Sequence, residues 1–210
     1  MPASNVSLGL WVPLNAKGDK LADVTTFLKA GYDIVVETEP ETIQWYGLKF
    51  SGSDTFAVFD TFSTEAGRGA HLTGKVAAAL MANAPTLLAS GPEILQPIIL
   101  ANKIVPTTKL TVGLRVFLTP KPDQVDAVRE FLKGAVPLVE AEELTPAWYA
   151  IEFPGPEPTF GIIDFFEAEA GRDAHLGGKV AEALFANADK LLASAPDVVK
   201  VDVVAALVKA

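Results

Sequence analysis

Apolar residues alternate with other types along residues 7–14. Leu8, Leu10, Val12 and Leu14 take one side, and Gly9, Trp11 and Pro13 the other. A period of two predicts a half-buried strand. Beyond Gly18 and Asp19 the spacing lengthens. Leu21, Val24 and Leu28 recur at helical intervals, and Gly31 ends the predicted helix. Residues 33–38 and 43–50 read as strands on either side of a Glu39-Pro40 turn. Residues 55–62 read as a further strand after Gly52-Ser53-Asp54. A longer helix is predicted over 64–83, with Leu72, Val76, Ala79, Leu80 and Asn83 along one stripe and Asn83 helping to terminate it. Residues 93–105 form the predicted closing strand.

The same pattern then returns. FAVFDTFSTEAGRGAHLTGKVAAALMANAPTLLASGP at 56–92 matches FGIIDFFEAEAGRDAHLGGKVAEALFANADKLLASAP at 160–196, and His71 and His175 are 104 residues apart in a chain of 210. Leu10 to Leu14 correspond to Leu114 to Leu118 at the same offset. Trp45-Tyr46 correspond to Trp148-Tyr149 at 103, and the lost residue is regained at Pro154-Gly155-Pro156. Turns absorb such changes. A period this long describes a domain rather than a solenoid unit. The expected organisation is therefore two tandem domains, 1–106 and 107–210. Each is an α+β arrangement of a small antiparallel sheet with helices on one face, its other face covered by the tandem partner.

Half of the residues are hydrophobic, which excludes a disordered chain. No apolar run reaches the length of a membrane helix. The start, Met-Pro-Ala-Ser-Asn-Val, lacks a basic segment and a signal core, so a cytoplasmic protein is expected. There are no cysteines, which removes disulfides, thiol nucleophiles and Cys-based metal sites. Net charge is −9, from 17 basic and 26 acidic residues without a basic cluster, so nucleic acid is not an expected partner. No phosphate loop, dinucleotide fingerprint or HExxH motif is present, and neither His has a local His partner. No metal site is expected.

The segment Phe-x-x-x-Asp-x-Phe, followed by Glu-Ala-Gly-Arg-x-Ala-His-Leu-x-Gly-Lys-Val-Ala-x-Ala-Leu, resembles the antibiotic biosynthesis monooxygenase family of the dimeric α+β barrel superfamily. The resemblance covers both halves. It implies two ferredoxin-like domains in tandem that form an intramolecular α+β barrel, a pseudo-dimer within one chain, with further homodimerisation left open. It also implies a cofactor-independent oxygenase acting on a small aromatic or polycyclic quinol or anthrone, with a site between helices and sheet or in the barrel interior. Haem-cleaving relatives carry a Trp early in the second helix. Here Thr64-Glu65 and Ala168-Glu169 stand there instead, which argues against haem cleavage. The other expectation is a non-catalytic small-molecule-binding or structural barrel.

Several residues could carry chemistry. His71 and His175 are the candidate bases. Each has an Arg three residues before it (Arg68, Arg172) and a Lys four after it (Lys75, Lys179). Neighbouring cations would hold the imidazole neutral and leave it able to take a phenolic proton. Arg68 and Arg172 are the candidate partners of the resulting anion. Alternation sets Trp45, Gly47 and Lys49 against Tyr46, Leu48 and Phe50, and groups Trp148, Ala150 and Glu152. With Trp11 and Arg115 opposite the aliphatic side of the first strand, one face reads as aliphatic and helix-covered. The other reads as a Trp-, Lys-, Arg- and Glu-rich wall, either for a planar aromatic ligand or for a sheet–sheet interface. Asn15, matched by Thr119, is a further candidate ligand contact. Asp60 and Asp164 interrupt apolar strands and need partners, for which Arg68 and Arg172 are the expected choice. Glu65/Arg68 and Glu169/Arg172 are expected to be helical i,i+3 pairs.

Overall fold

The computed structural model describes residues 6–209. The N-terminal segment read above for an export signal lies almost wholly outside them. The order is β1 (Leu8–Asn15), α1 (Leu21–Thr38), β2 (Gln44–Phe50), β3 (Thr55–Phe62), α2 (Glu65–Leu72), α3 (Lys75–Leu87) and β4 (Ile98–Ile104). The second copy follows as β5 (Val112–Leu118), α4 (Val125–Lys133), α5 (Val136–Glu140), β6 (Ala147–Phe153), β7 (Thr159–Phe166), α6 (Glu169–Leu176), α7 (Lys179–Leu191) and β8 (Asp197–Val208). The strands hydrogen-bond in the order β1-β3-β2-β8-β5-β7-β6-β4 and close as a barrel. The architecture is α+β, with two ferredoxin-like repeats in one chain.

Residues 33–38 are helical, not a strand. Ile34, Val35 and Val36 favour strands in isolation, but Val24, Leu28, Gly31 and Val35 fall on one buried stripe, and packing of that stripe overrides propensity. The helix predicted over 64–83 is two helices that break at Thr73-Gly74. The second runs past Asn83, whose side chain bonds back to the Ala79 carbonyl, and ends at Leu87.

Two compact units form, and they exchange their last strands. Among the described residues, Pro97–Val201 belong to one; 6–96 and 202–209 belong to the other. In the first of these, β4 pairs antiparallel with β6, from Ile98 opposite Glu152 to Ile104 opposite Ala147. In the other, Val204, Ala205 and Leu207 at the end of β8 pack on the core of Leu10, Val12, Leu14, Val24, Leu28, Trp45 and Phe62, and the Lys209 amide donates to the Ile43 carbonyl. The matching core of the Pro97–Val201 unit holds Leu114, Val116, Val128, Leu132, Trp148, Phe160 and Phe166.

Strand register decides which side chains face the helices. Leu10 lies opposite Asp60, and Asp60 opposite Trp45. Trp11 lies opposite Phe59, and Phe59 opposite Tyr46. Asp60 and Trp45 therefore share the helix-covered face with Leu10, while Trp11, Phe59 and Tyr46 share the reverse face. The same holds for Leu114, Asp164 and Trp148 against Arg115, Ile163 and Tyr149.

Candidate active site

Each repeat buries one histidine between two carboxylates. His71 closes the last turn of α2. Its Nδ1 is 2.6 Å from Glu39 Oε2 and its Nε2 is 2.9 Å from Asp60 Oδ2. Thr42 Oγ1 lies 3.2 Å from the same Nδ1. In the second copy, His175 Nδ1 is 2.5 Å from Glu142 Oε2 and Nε2 is 3.2 Å from Asp164 Oδ2. Asp60 and Asp164 are fully buried; the histidine Nε2 lies against Oδ2 of each, and Oδ1 of neither has a side-chain donor among the described residues.

Local geometry fixes these positions. Glu39 follows the last turn of α1, and its Oε1 accepts the Val76 amide at 3.3 Å, so it also caps the exposed N–H groups at the start of α3. The approach needs glycine before α3: a Cβ on Gly74 would lie 2.7 Å from Glu39 Oε1, and one on Gly178 would lie 2.7 Å from Glu142 Oε1. The kink that splits the long helix is thus what lets a carboxylate reach the histidine.

The expected neutral imidazole is not what this arrangement produces. Burial alone would push the His71 pKa down, but Asp60 and then Glu39 outweigh it and raise it to about 10. His175, between Asp164 and Glu142, is likewise raised to about 10. Both are imidazolium at neutral pH. Burial pushes the Asp60 carboxyl up, and the His71 charge pulls it only part of the way back. The basic member of each group is therefore the aspartate.

The arginines lie elsewhere. Arg68 donates twice to Glu65 at 2.8 Å and reaches the Gly9 carbonyl at 3.5 Å. Arg172 pairs with Glu169 and donates to the carbonyls of Gly113 and Val201 at 3.2 Å each. The expected i,i+3 pairs are present, but the partner of each buried aspartate is the histidine and not the arginine. Arg68, midway along α2, reaches a β1 carbonyl, whereas the ring of His71 in the last turn reaches Asp60. Lys75 and Lys179 sit at the exposed starts of α3 and α7, beyond the helix break, so no basic edge runs along one helix.

The remaining candidates are spread over both faces. Trp45 and Trp148 are buried under the helices rather than on a separate aromatic wall. Trp11 is on the reverse face, 6.3 Å from the rings of both Phe50 and Phe59. Arg115 is also there, paired with Asp197 and stacked 4.4 Å over Phe117. Lys49 lies 5.9 Å over the Phe56 ring, and Glu152 takes Arg129 of α4 at 2.7 and 2.8 Å. Asn15 accepts from Thr55 Oγ1 at 3.3 Å at the exposed end of β1. Pairing Trp11 with Trp45 failed because odd-numbered residues of β1 and β2 fall on opposite faces in this register.

In the first repeat the carboxylate–imidazolium group opens onto an apolar cavity of about 40 Å³, lined on the sheet side by Leu10, Val12, Trp45, Val58 and Asp60. Helix residues His71, Val76 and Leu80 cover it, and Phe27 and Ile94 edge its mouth, with Ile94 39% exposed. Glu39 and Glu142 were missed at the sequence level. They were traceable, since they share the 103-residue offset of Trp45 and Trp148. Among the described residues no cluster of His, Asp and Glu could hold a metal ion, and the two carboxylates bind opposite sides of the ring, so they do not converge on one point.

No family model and no curated protein matches the chain. Solved structures do. A "putative monooxygenase" from Fusobacterium nucleatum aligns over 100% of this chain and 96% of its own, with a TM-score of 0.86 and 13% identity. The chain has the ferredoxin-like α+β barrel fold of the antibiotic biosynthesis monooxygenase-like proteins. An anthrone oxidase-like protein aligns over 97% of this chain and 93% of its own, with a TM-score of 0.66 and 8% identity. A protein of unknown function from Nitrosomonas europaea is 46% identical over 50% of this chain and 99% of its own, with a TM-score of 0.47. No helix among the described residues is long and apolar enough to cross a membrane.

Proposed function

We propose that this chain is a cofactor-independent monooxygenase that oxidises a small phenol, quinol or anthrone-type ring. The observation that carries the reading is Asp60: a fully buried carboxylate facing an apolar cavity, with Oδ2 on a buried imidazolium and Oδ1 without a side-chain donor among the described residues. A buried carboxylate in that state calls for a donor, and a substrate hydroxyl supplies one. The barrel fold shared with proteins named as monooxygenases and as anthrone oxidase-like supports the reaction class.

The substrate hydroxyl donates to Asp60, which takes the proton. His71 stays protonated and steadies the anion, a fixed charge in a water-poor site. The electron-rich ring then reduces dioxygen. One oxygen atom is inserted at a ring C–H to give a carbonyl, and the other leaves as water. The substrate supplies all the electrons, so phenol and O2 balance to quinone and H2O. Size limits the ligand. A benzene-sized hole is on the order of 150 Å³, so a cavity of about 40 Å³ takes the hydroxyl end, with the ring resting in the mouth at Phe27, Leu80 and Ile94. This favours one ring over several.

A second reading has its own observation. Glu39 joins the end of α1 to His71 and to the start of α3, so the group could serve only to clamp the helices on the sheet of a non-catalytic barrel. Oxygen uptake with a panel of phenols, quinols and anthrones separates the two. The oxygenase reading expects turnover that falls at least about 100-fold in Asp60→Asn and is lost in His71→Ala/His175→Ala. Turnover that survives Asp60→Asn removes the assigned base. No uptake on any substrate by a folded protein favours the clamp.

A further inference from the structure

The two repeats keep the same carboxylate–imidazolium group but not the same space in front of it. In the first, a single cavity runs from Phe27, Leu28 and Gly31 of α1 to Asp60 and His71. In the second, the space is cut in two. A pocket of about 20 Å³ touches Asp164 and His175, and a pocket of about 220 Å³ touches Phe131, Leu132 and Ala135 but neither charged residue. Ile162, Val180 and Leu184 line both pockets and form the partition.

The sequence differences account for it. Val58 becomes Ile162, which adds a methylene at the partition. Trp45 lies against two glycines. A Cβ on Gly47 would lie 3.0 Å from Trp45 Cη2, and one on Gly31 would lie 3.5 Å from Cζ2. The second repeat has Ala150 and Ala135 at those places, and Trp148 lines neither of its pockets. Pro137, where the first repeat has Asp33, has no N–H to give to the Lys133 carbonyl and sits in the first turn of α5; α1 is one helix, and its counterpart is broken into α4 and α5 after Lys133.

We infer that the chain has one working site, in the first repeat, and that the second is closed to any ligand whose hydroxyl must reach Asp164. This rests on the reading of the Asp60–His71 cavity as the substrate site. The test is titration with 4-nitrophenol, whose absorption moves to the red when its hydroxyl donates to a carboxylate. The native chain should show one red-shifted equivalent. Val58→Ile should weaken that binding at least tenfold, and Ile162→Val/Leu184→Ala should add a second equivalent. Two red-shifted equivalents in the native chain, none, or native binding by folded Val58→Ile would each overturn the inference. Should Val58→Ile not fold, the appearance or absence of the second equivalent decides alone. Oxygen uptake is measured separately, so binding at one site without turnover would sink the oxygenase and leave the single-site inference standing.

Discussion

The first repeat encloses the glutamate on its histidine more fully than the second, although both hold the same chemistry. The Glu39 side chain is 8% exposed against 16% for Glu142, and the Nε2–aspartate distance is 2.9 Å against 3.2 Å. Conversely, the second repeat leaves less space in front of its charged group, about 20 Å³ against about 40 Å³. Leu184 is buried where Leu80 is only partly so, and alanines replace the glycines beneath the tryptophan. One copy keeps charge and space together. The other keeps the charge but has its larger pocket away from it. A motif thus persists through duplication while the space in front of it changes with a few methyl groups nearby.

The sharpest way to break this comparison is to remove the cation. His71→Ala leaves Glu39 and Asp60 buried without their shared partner. It should cost about 3–5 kcal/mol, as breaking a buried pair does. His175→Ala should cost less, because Glu142 is closer to water. Urea melts of the two variants check this, and equal losses would contradict the difference in enclosure. A second probe is Gly47→Ala. Its methyl would press on Trp45 Cη2 at 3.0 Å and Leu28 Cβ at 3.2 Å, for about 1–3 kcal/mol of overpacking. The reverse change, Ala150→Gly, should cost less than about 1 kcal/mol.

Titration gives a further test. The His71 and His175 pKa values lie above that of an unfolded histidine, at about 10 against 6.5. Their contribution to stability is therefore complete below about pH 6.5 and is lost as pH rises through about 10. The melting temperature should fall across that window, and less steeply in His71→Gln. A flat profile would mean that the rings are neutral. A local effect concerns the caps of α2 and α6. Thr64 Oγ1 accepts the Gly67 amide at 3.0 Å, whereas the Ala168 side chain offers no cap. Ala168→Thr should add about 0.5–2 kcal/mol and Thr64→Ala should remove as much, by thermal melts.

Much of the fold was legible in the chain. Repetition at 104 residues fixed the tandem organisation, period-two and helical spacing located most elements, and the segment around His71 pointed to the family fold that the solved structures share. Residues 33–38 were misread because β-branched propensity is local and the buried stripe of α1 is not. The two histidines were visible as candidates, but their ionisation was not, since the neighbours that set it arrive from α1 and β3.

Sequence by itself determined which residues repeat, which faces of each element are apolar, and that buried aspartates would need partners. It could not decide the partner, the face of each tryptophan or the ownership of the last strands. Those depend on register and on non-local pairing: Leu10 beside Asp60 beside Trp45, Glu39 reaching across a helix break to His71, and β4 hydrogen-bonded to β6. A slip of one residue would turn every side chain of a strand to the other face, and only the folded sheet holds the register that chooses.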